Sequence, residues 1–169
     1  ASTAGLEDSA GSNDGTADNA NGTGFSFVSG KFGNAASFDG DDDYIVVNDH
    51  ASLDITGAIT ISMWVKAPLP SGNNGLIINK GSSPNLGSAA ANSTYGFGVR
   101  NGSFNWYICD GSTKYTLSGA DNPVLDDTWH HIVAWWDGTT NTNTVRLYDD
   151  GTILYQGTST ITNIDVDTF

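Results

Sequence analysis

The sequence of 169 residues has few basic side chains and almost no glutamate. It contains 6 Lys and Arg against 19 Asp and Glu, which gives a formal net charge of −13, and Glu7 is its only glutamate. Proteins that bind nucleic acid neutralise phosphates with patches of Lys and Arg, so this balance excludes nucleic-acid recognition. The same shortage disfavours attraction to anionic membrane surfaces.

Long apolar runs and paired cysteines are also missing. No apolar run approaches the roughly 20 residues that a membrane-spanning helix needs, so membrane insertion is not expected. Cys109 is the only cysteine. It cannot form an intramolecular disulfide, and a free cysteine of this kind is usually buried. A chain with little Cys and much Asp, Thr, Asn and Gly is typical of an extracellular microbial or viral protein, either secreted or attached to a surface.

Small, turn-forming residues dominate what is present, with 21 glycines in the chain. Residues 1–24 are almost wholly small and polar, which predicts a flexible arm or loop. From Phe25 onward, turn signals separate short apolar runs about every 8–12 residues, as in β-sandwiches. Residues 25–169 are therefore predicted to form one all-β domain, with at most one helical turn near Ser52–Asp54.

Ten segments have the composition and alternation of strands. They are Ala35–Asp39, Tyr44–Asn48, Ala58–Lys66, Gly75–Lys80, Tyr95–Arg100, Phe104–Cys109, Lys114–Leu117, Thr128–Trp136, Thr144–Tyr148 and Thr152–Gln156. Asn101-Gly102 and Asp150-Gly151 lie between consecutive strands and favour tight hairpin turns. The segment Thr128–Trp136 is apolar on both faces, which predicts a central position in a sheet.

Two segments in the last third of the chain carry a recognisable signature, WHHIVAWWDG at 129–138 and RLYDDG at 146–151. They resemble the signature of laminin G-like domains, which belong to the concanavalin A-like lectin/glucanase superfamily. Stretches at 8–16, 30–35, 37–47 and 59–66 resemble earlier motifs of the family in the same order. The resemblance implies an all-β, two-sheet antiparallel jelly-roll sandwich of the concanavalin A-like type.

The chain departs from the family pattern at both ends. Family members commonly begin with an aromatic strand, of which only Gly5–Glu7 remains here, and commonly end with a further strand after the motifs. The sandwich is therefore expected to lack its usual first and last strands. Two explanations stay open. Either the chain is a fragment, or another chain, such as a second copy, pairs with the open sheet edge.

The shortage of glutamate bears directly on catalysis. Enzymes of this superfamily that cleave glucans use two Glu flanking an Asp on one strand. Retaining hydrolysis needs two carboxyl groups about 5 Å apart, and Glu7 is alone in the N-terminal segment. No catalytic residue is predicted, and the chain is not expected to be an enzyme.

Aromatic and polar residues on consecutive predicted strands form the candidate ligand site. The residues are Tyr95, Arg100, Asn105, Trp106 and Tyr107. On a concave sheet face, flat rings would stack on sugars while Arg100 and Asn105 supply hydrogen bonds. Core packing is the alternative, since aromatic rings dominate cores. Neighbouring residues of a strand face opposite ways, so either Trp106 or Tyr107 is expected to point outward.

A run of acidic residues forms the candidate metal site. Asp39, Asp41, Asp42 and Asp43 lie in one loop, and Ca²⁺ takes six to eight oxygen ligands of this type. The resemblance also suggests calcium, because relatives often bind it at the rim of a sheet. The alternatives are a calcium site elsewhere in the chain and a solvated turn without metal, in which the Asp side chains cap backbone amides.

Two functions remain consistent with the sequence. The first is a non-catalytic extracellular module that recognises glycans or a protein surface, as in adhesion, with structural calcium. The second is a structural subunit of an extracellular filament, surface layer or virion, assembled by strand complementation.

Overall fold

The protein is almost entirely β-structure in the part of the chain that can be described. A computed structural model describes residues 6–19, 25–68, 74–81, 94–100, 102–119 and 126–166. The strands are β1 (Gly15–Asn19), β2 (Ser26–Ser29), β3 (Asn34–Ser37), β4 (Asp43–Val47), β5 (Ile59–Val65), β6 (Asn74–Lys80), β7 (Tyr95–Arg100), β8 (Ser103–Cys109), β9 (Lys114–Ser118), β10 (His130–Trp136), β11 (Val145–Asp149) and β12 (Thr152–Gly157). A single 3-10 turn at Ala51–Leu53 is the only helical segment of these ranges, and none of them contains a helix long and apolar enough to cross a membrane.

All ten predicted strands are present, and their ends differ from the prediction by at most two residues. The strands β1 and β2 were not predicted. β1 lies inside the segment 1–24, which was expected to be a flexible arm or loop, so that expectation does not hold for Gly15–Asn19. Its sequence lacks an apolar alternation, and the strand depends on antiparallel pairing with β4.

The chain divides into two compact units, residues 1–53 and 54–169, rather than at the boundary expected near residue 24. In the first unit β1 pairs with β4 and β2 pairs with β3. Three phenylalanine rings pack edge to face there, with centroids 5.4 Å apart for Phe25 and Phe27 and 5.7 Å apart for Phe25 and Phe38. The carboxylate of Asp8 accepts hydrogen bonds from backbone N–H groups in the loop that follows it.

The second unit is an antiparallel sandwich of two four-stranded sheets. One sheet has the order β12-β11-β10-β5 and the other has the order β6-β7-β8-β9. β10 lies between β11 and β5, which confirms the central position predicted from its two apolar faces. At the β11–β12 hairpin, Asp150 and Gly151 both have positive φ (46° and 81°), as a type I′ turn requires.

Alternate residues of both sheets form one hydrophobic core. The fully buried side chains include Phe97, Phe104, Trp106 and Ile108 from one sheet, Ile132, Trp136, Val145 and Leu147 from the other, and Ile161 and Ile164 from the C-terminal segment. Because strand side chains alternate between faces, each sheet turns one apolar set inward. The two-sheet antiparallel sandwich expected from the sequence is therefore confirmed.

The two most buried tryptophans differ in the state of their indole N–H groups. Trp136 Nε1 donates to the carbonyl oxygen of Thr139 at 3.0 Å. Trp106 Nε1 is buried and has no hydrogen-bond acceptor among the described residues. We expect Trp136→Phe to lower the free energy of unfolding by about 1 kcal/mol more than Trp106→Phe, because only the first change breaks a hydrogen bond.

Urea unfolding of the two variants, followed by the fluorescence of the remaining tryptophans, measures this difference. Both variants lose similar volume from the core, so each serves as the control for the other. Equal destabilisation, or a larger loss for Trp106→Phe, would contradict the prediction.

Candidate functional site

The pleat of β7 and β8 divides the predicted ligand residues between two faces of their sheet. Trp106 is fully buried in the core, and Tyr95 beside it is 7% exposed. Asn105, Tyr107 and Arg100 belong to the opposite face. Core packing, the alternative weighed for the aromatic residues, therefore accounts for Tyr95 and Trp106, and stacking of a sugar on either ring is ruled out.

The face opposite the core is called the polar face here. Its described residues, placed by strand register, are Leu76 and Asn79 of β6, Gly96, Gly98 and Arg100 of β7, Ser103, Asn105, Tyr107 and Cys109 of β8, and Lys114, Thr116 and Ser118 of β9. Apart from Leu76, Tyr107 and Cys109, the side chains it carries are small, polar or cationic. Arg100, Thr116 and Ser118 are exposed, whereas Tyr107 and Cys109 are fully buried.

A cavity opens at one end of the polar face, with a volume of about 240 Å³. It is lined by Arg100, Ser103, Asn105, Ser118 and Gly119. The Asn105 Nδ2 donates to the Ser103 carbonyl at 2.8 Å, which orients the amide and leaves its oxygen for another donor. Two of the predicted residues, Arg100 and Asn105, are therefore brought together, and none of the described residues that line the cavity is aromatic.

The sequence interpretation missed the two serines and the glycine of this cavity. Ser103 could have been found by alternation, since it lies two residues before Asn105 on the same strand. Ser118 could be assigned to the cavity only from the register of β8 and β9, in which it pairs with Asn105. Gly119 lines the cavity with its backbone alone, and a Cβ there would overlap the ring of Tyr155.

Tyr107 points away from the core, as the alternation predicted for one residue of its pair, but it is covered. Its ring lies across Gly96, where a Cβ would overlap the phenol, and its hydroxyl donates to Asn79 Oδ1. Lys114 Nζ lies 4.2 Å from the ring centroid, in position for a cation–π interaction. Tyr107 is fully buried, so stacking of a ligand on its ring is not available in this arrangement.

The ionisable groups next to Tyr107 are shifted by burial. Burial raises the pKa of the Cys109 thiol to about 11, against the opposing charge of Lys114, so the thiol stays protonated and unreactive at neutral pH. Burial also lowers the pKa of Lys114, and the positive charge of Arg100 lowers it further. Cys109 is therefore the buried, unreactive residue expected from the sequence.

The predicted metal loop brings three of its four carboxylates together. The side-chain oxygens of Asp39, Asp42 and Asp43 lie within 4.8 Å of one another, and Asp41 is outside this group. The Asp41 N–H donates to Asp39 Oδ1 at 2.9 Å, and the Asp39 N–H donates to Asp43 Oδ2 at 3.0 Å. Asp43 Oδ1 is buried and accepts no hydrogen bond from a described residue.

A second cluster surrounds His130 at the start of β10. Its Nδ1 lies 3.0 Å from Asp149 Oδ1 and 3.4 Å from Asp150 Oδ2. Its Nε2 lies 2.9 Å from Thr128 Oγ1 and 3.2 Å from Asp126 Oδ1. The Thr128 hydroxyl donates to Asp126 at 2.7 Å, so its oxygen accepts from the ring, and both ring nitrogens act as donors.

The donor pattern indicates a protonated imidazole at His130. Burial lowers its pKa, but hydrogen bonds and the charges of Asp126 and Asp149 outweigh burial and raise the pKa above its ordinary value of 6.5. By distance, His130, Asp149 and Asp150 could also hold a metal ion. In the protonated state the ring has no lone pair for a metal, and the cluster then acts as an ion-paired clamp between β10 and β11.

The comparisons with known proteins agree with the fold. A family model for laminin G domains, described as the concanavalin A-like lectin/glucanases superfamily, matches residues 39–168, which is more than half of the chain. No curated protein matches the chain.

The His130 clamp predicts a loss of stability at alkaline pH. Because the folded pKa is raised, the stabilisation is fully present below pH 6.5 and is lost as the pH rises through the folded pKa. We expect His130→Gln to lower the free energy of unfolding more at pH 6 than at pH 9, as measured by urea unfolding.

His131 provides the matched control, since it lies on the other face of β10 and its Nε2 is 2.8 Å from Ser62 Oγ. His131→Gln should leave the pH dependence of the wild-type protein in place. A His130→Gln variant with an unchanged pH dependence would rule out the clamp.

Proposed function

The chain belongs to the laminin G-like domains of the concanavalin A-like lectin/glucanase superfamily, and we propose that it is a non-catalytic module that binds glycans through its polar face. Domains of this family are typically non-enzymatic binding modules and are commonly extracellular. We assign non-catalytic binding and an extracellular location to this protein as well. Ligand binding takes place in the cavity at the Arg100 end of the polar face.

The observation that carries the proposal is the lining of the cavity. The cavity presents the hydroxyl and amide groups of Ser103, Asn105 and Ser118. Sugar hydroxyls can donate hydrogen bonds to such groups and accept hydrogen bonds from them. Its volume of about 240 Å³ is below the roughly 300–1,000 Å³ of pockets that enclose a drug-sized ligand. The cavity would therefore take one sugar residue of a chain.

The binding mechanism differs from the one favoured by the sequence. Ring stacking by Trp106 is replaced by hydrogen bonds from a rigid set of polar groups on β7, β8 and β9. Sites built on strands hold their side chains more rigidly than sites on loops. We assign no catalytic role to these residues, since none of the described residues that line the cavity is a carboxylic acid that could act as acid or nucleophile.

Filling the cavity tests the proposal. Ser118→Trp places a large side chain in the cavity from an exposed position of β9, so we expect glycan binding to be lost while the unfolding midpoint is unchanged. Binding is measured on a glycan array and confirmed in solution by chemical-shift changes of backbone amides at Ser103 and Asn105.

Thr60→Trp, at an exposed position of β5 in the other sheet, is the matched control and should bind as the wild type does. If Ser118→Trp still binds, the site lies elsewhere. If no glycan binds and light scattering shows multimers, the proposal is replaced by the structural-subunit alternative. Binding to a protein surface without any glycan binding would likewise overturn it.

We also propose that Asp39, Asp42 and Asp43 hold a calcium ion in residues 1–53. Oxygens that bind one Ca²⁺ at 2.3–2.6 Å lie at most about 5 Å apart, and these three carboxylates meet that limit. The buried Asp43 Oδ1, with no described donor, suits a cation ligand. Bound calcium would neutralise repulsion among the carboxylates and hold the loop before β4.

Calorimetric titration of the chelator-treated protein with CaCl₂ measures this site. We expect Asp43→Asn to abolish binding, because it removes a charged ligand, and Asp41→Asn to leave binding intact, because Asp41 is outside the group. Equal effects of the two substitutions, or no heat with CaCl₂, would contradict the calcium site.

A further inference from the structure

The side chains around His130 are also of the types that bind transition metals. We propose that a divalent transition-metal ion, with Zn²⁺ as its representative, binds between His130 Nδ1 and the carboxylates of Asp149 and Asp150. The site lies where β10 begins and where β11 turns into β12. It shares no residue with the glycan cavity or with the calcium loop at 39–43, so it does not rest on either of those assignments.

The three ligand atoms have the spacing of one coordination sphere. Nδ1 of His130 lies 3.0 Å from Asp149 Oδ1 and 3.4 Å from Asp150 Oδ2. One ligand atom from each of the three residues falls within 4.8 Å of the others. Atoms that bind one Zn²⁺ tetrahedrally at about 2.0–2.2 Å are roughly 3.3–3.6 Å apart. The side chains therefore need only small adjustments to admit an ion between them.

The donor atoms distinguish this site from the calcium loop. Asp39, Asp42 and Asp43 offer oxygen atoms only, and these suit the hard cation Ca²⁺. His130 adds an imidazole nitrogen to two carboxylates. Imidazole favours Zn²⁺ and its neighbours in the transition series over Ca²⁺ and Mg²⁺. The two clusters should therefore take different metals.

The second ring nitrogen of His130 has the partner that a metal-binding histidine usually has. Its Nε2 lies 3.2 Å from Asp126 Oδ1 and 2.9 Å from Thr128 Oγ1. A histidine that binds a metal through one nitrogen almost always donates its other N–H to an oxygen acceptor, which fixes the tautomer and strengthens the ligand. Thr128 donates its backbone N–H to Asp126 Oδ1 at 2.9 Å, so the carboxylate is itself held in place. With the remaining proton on Nε2, the lone pair of Nδ1 is free to bind the ion.

The backbone holds one oxygen of Asp150 and leaves the other for the ion. The His131 N–H donates to Asp150 Oδ1 at 3.0 Å, whereas Oδ2 is the oxygen near the imidazole. The Asp150 N–H donates to the carbonyl oxygen of His131 at 3.0 Å, so the turn is fixed to the start of β10. A ligand that is already held by hydrogen bonds loses little freedom when it binds a metal.

The exposure of the cluster gives the ion a way in. The side chains of His130 and Asp149 are 15% and 17% exposed, whereas that of Asp150 is 54% exposed. An ion can therefore enter past Asp150 from solvent. Zinc sites with three protein ligands can complete their coordination with water, and water can reach the fourth position from the same side.

A divalent ion also balances the charge of the cluster better than a proton does. Asp126, Asp149 and Asp150 place three negative charges around one imidazole. Protonation of the ring supplies a single positive charge, whereas Zn²⁺ brings two charges to the side of the ring where two of the carboxylates lie. When the ion binds, the Nδ1 proton leaves to the buffer, and the metal takes over the link between β10 and β11.

Calorimetric titration of the chelator-treated protein with ZnCl₂ measures this site, with excess CaCl₂ present to occupy sites that offer only oxygen. We expect one Zn²⁺ to bind per chain. His130→Gln should weaken binding by roughly a hundredfold or more, because the ligand nitrogen is lost, and Asp126→Asn by roughly tenfold to a hundredfold, because only the support of the imidazole is weakened.

His131→Gln is the matched control, because it changes the neighbouring histidine, whose side chain lies on the other face of β10. It keeps the backbone N–H that orients Asp150, so it should bind Zn²⁺ as the wild type does. Urea unfolding checks that each variant is folded. The ¹H–¹⁵N spectrum of the imidazoles adds a measurement that does not depend on stability. Zn²⁺ should shift Nδ1 of His130 and leave the ring of His131 unchanged.

The outcomes that would overturn the site are distinct. If ZnCl₂ gives no binding heat, the proton is the only ion that His130 takes, and the metal site fails. Equal losses with His130→Gln and His131→Gln would indicate general adsorption and would also overturn it. If excess CaCl₂ abolishes Zn²⁺ binding, carboxylates alone hold the ion, and the role of His130 fails. Glycan binding is measured separately and is not affected by any of these results.

Discussion

The alternation of side chains along β7 and β8 is the constraint on which the rest of the second unit depends. Every second residue of these strands enters the core, where Phe97, Phe104 and Trp106 are fully buried. The side chains of the residues between them therefore point to the other face of the sheet. The alternation of side chains along a strand thus creates both the hydrophobic core and the polar face whose cavity we propose as the binding site.

Glycines on the central strand make the polar face possible. Gly96 has no Cβ, so the phenol of Tyr107 can lie against it and reach Asn79 on β6. The same row of the sheet therefore holds an aromatic ring that is fully buried although it points away from the core.

The cationic side chains of the second unit differ in the groups that surround them. His130 is held among Asp126, Asp149 and Asp150 at the start of β10, and Lys80 is paired with Asp54. These cations neutralise carboxylates and connect neighbouring segments of the second unit. Arg100 has no such partner among the described residues, and it lies at the cavity.

The sequence by itself determined the strand positions, the fold class and the absence of a paired-glutamate active site. Turn residues and apolar alternation are local signals, and they located ten strands within two residues of their ends. β1 was missed because its five residues have no apolar pattern and are held by β4, a partner about 30 residues away in the chain. Local patterns cannot report such long-range pairing.

The candidate site was only partly predictable for the same reason. Arg100 and Asn105 could be singled out by residue type, but whether Trp106 or Tyr107 faces the core depends on which side of the sheet is covered by the other sheet. The register between β8 and β9, which brings Ser118 beside Asn105, is set by the whole hairpin rather than by either residue. The sequence therefore determines which side chains are present at each position. The packing of the two sheets decides which face of the sheet each side chain occupies, because it decides which face is covered.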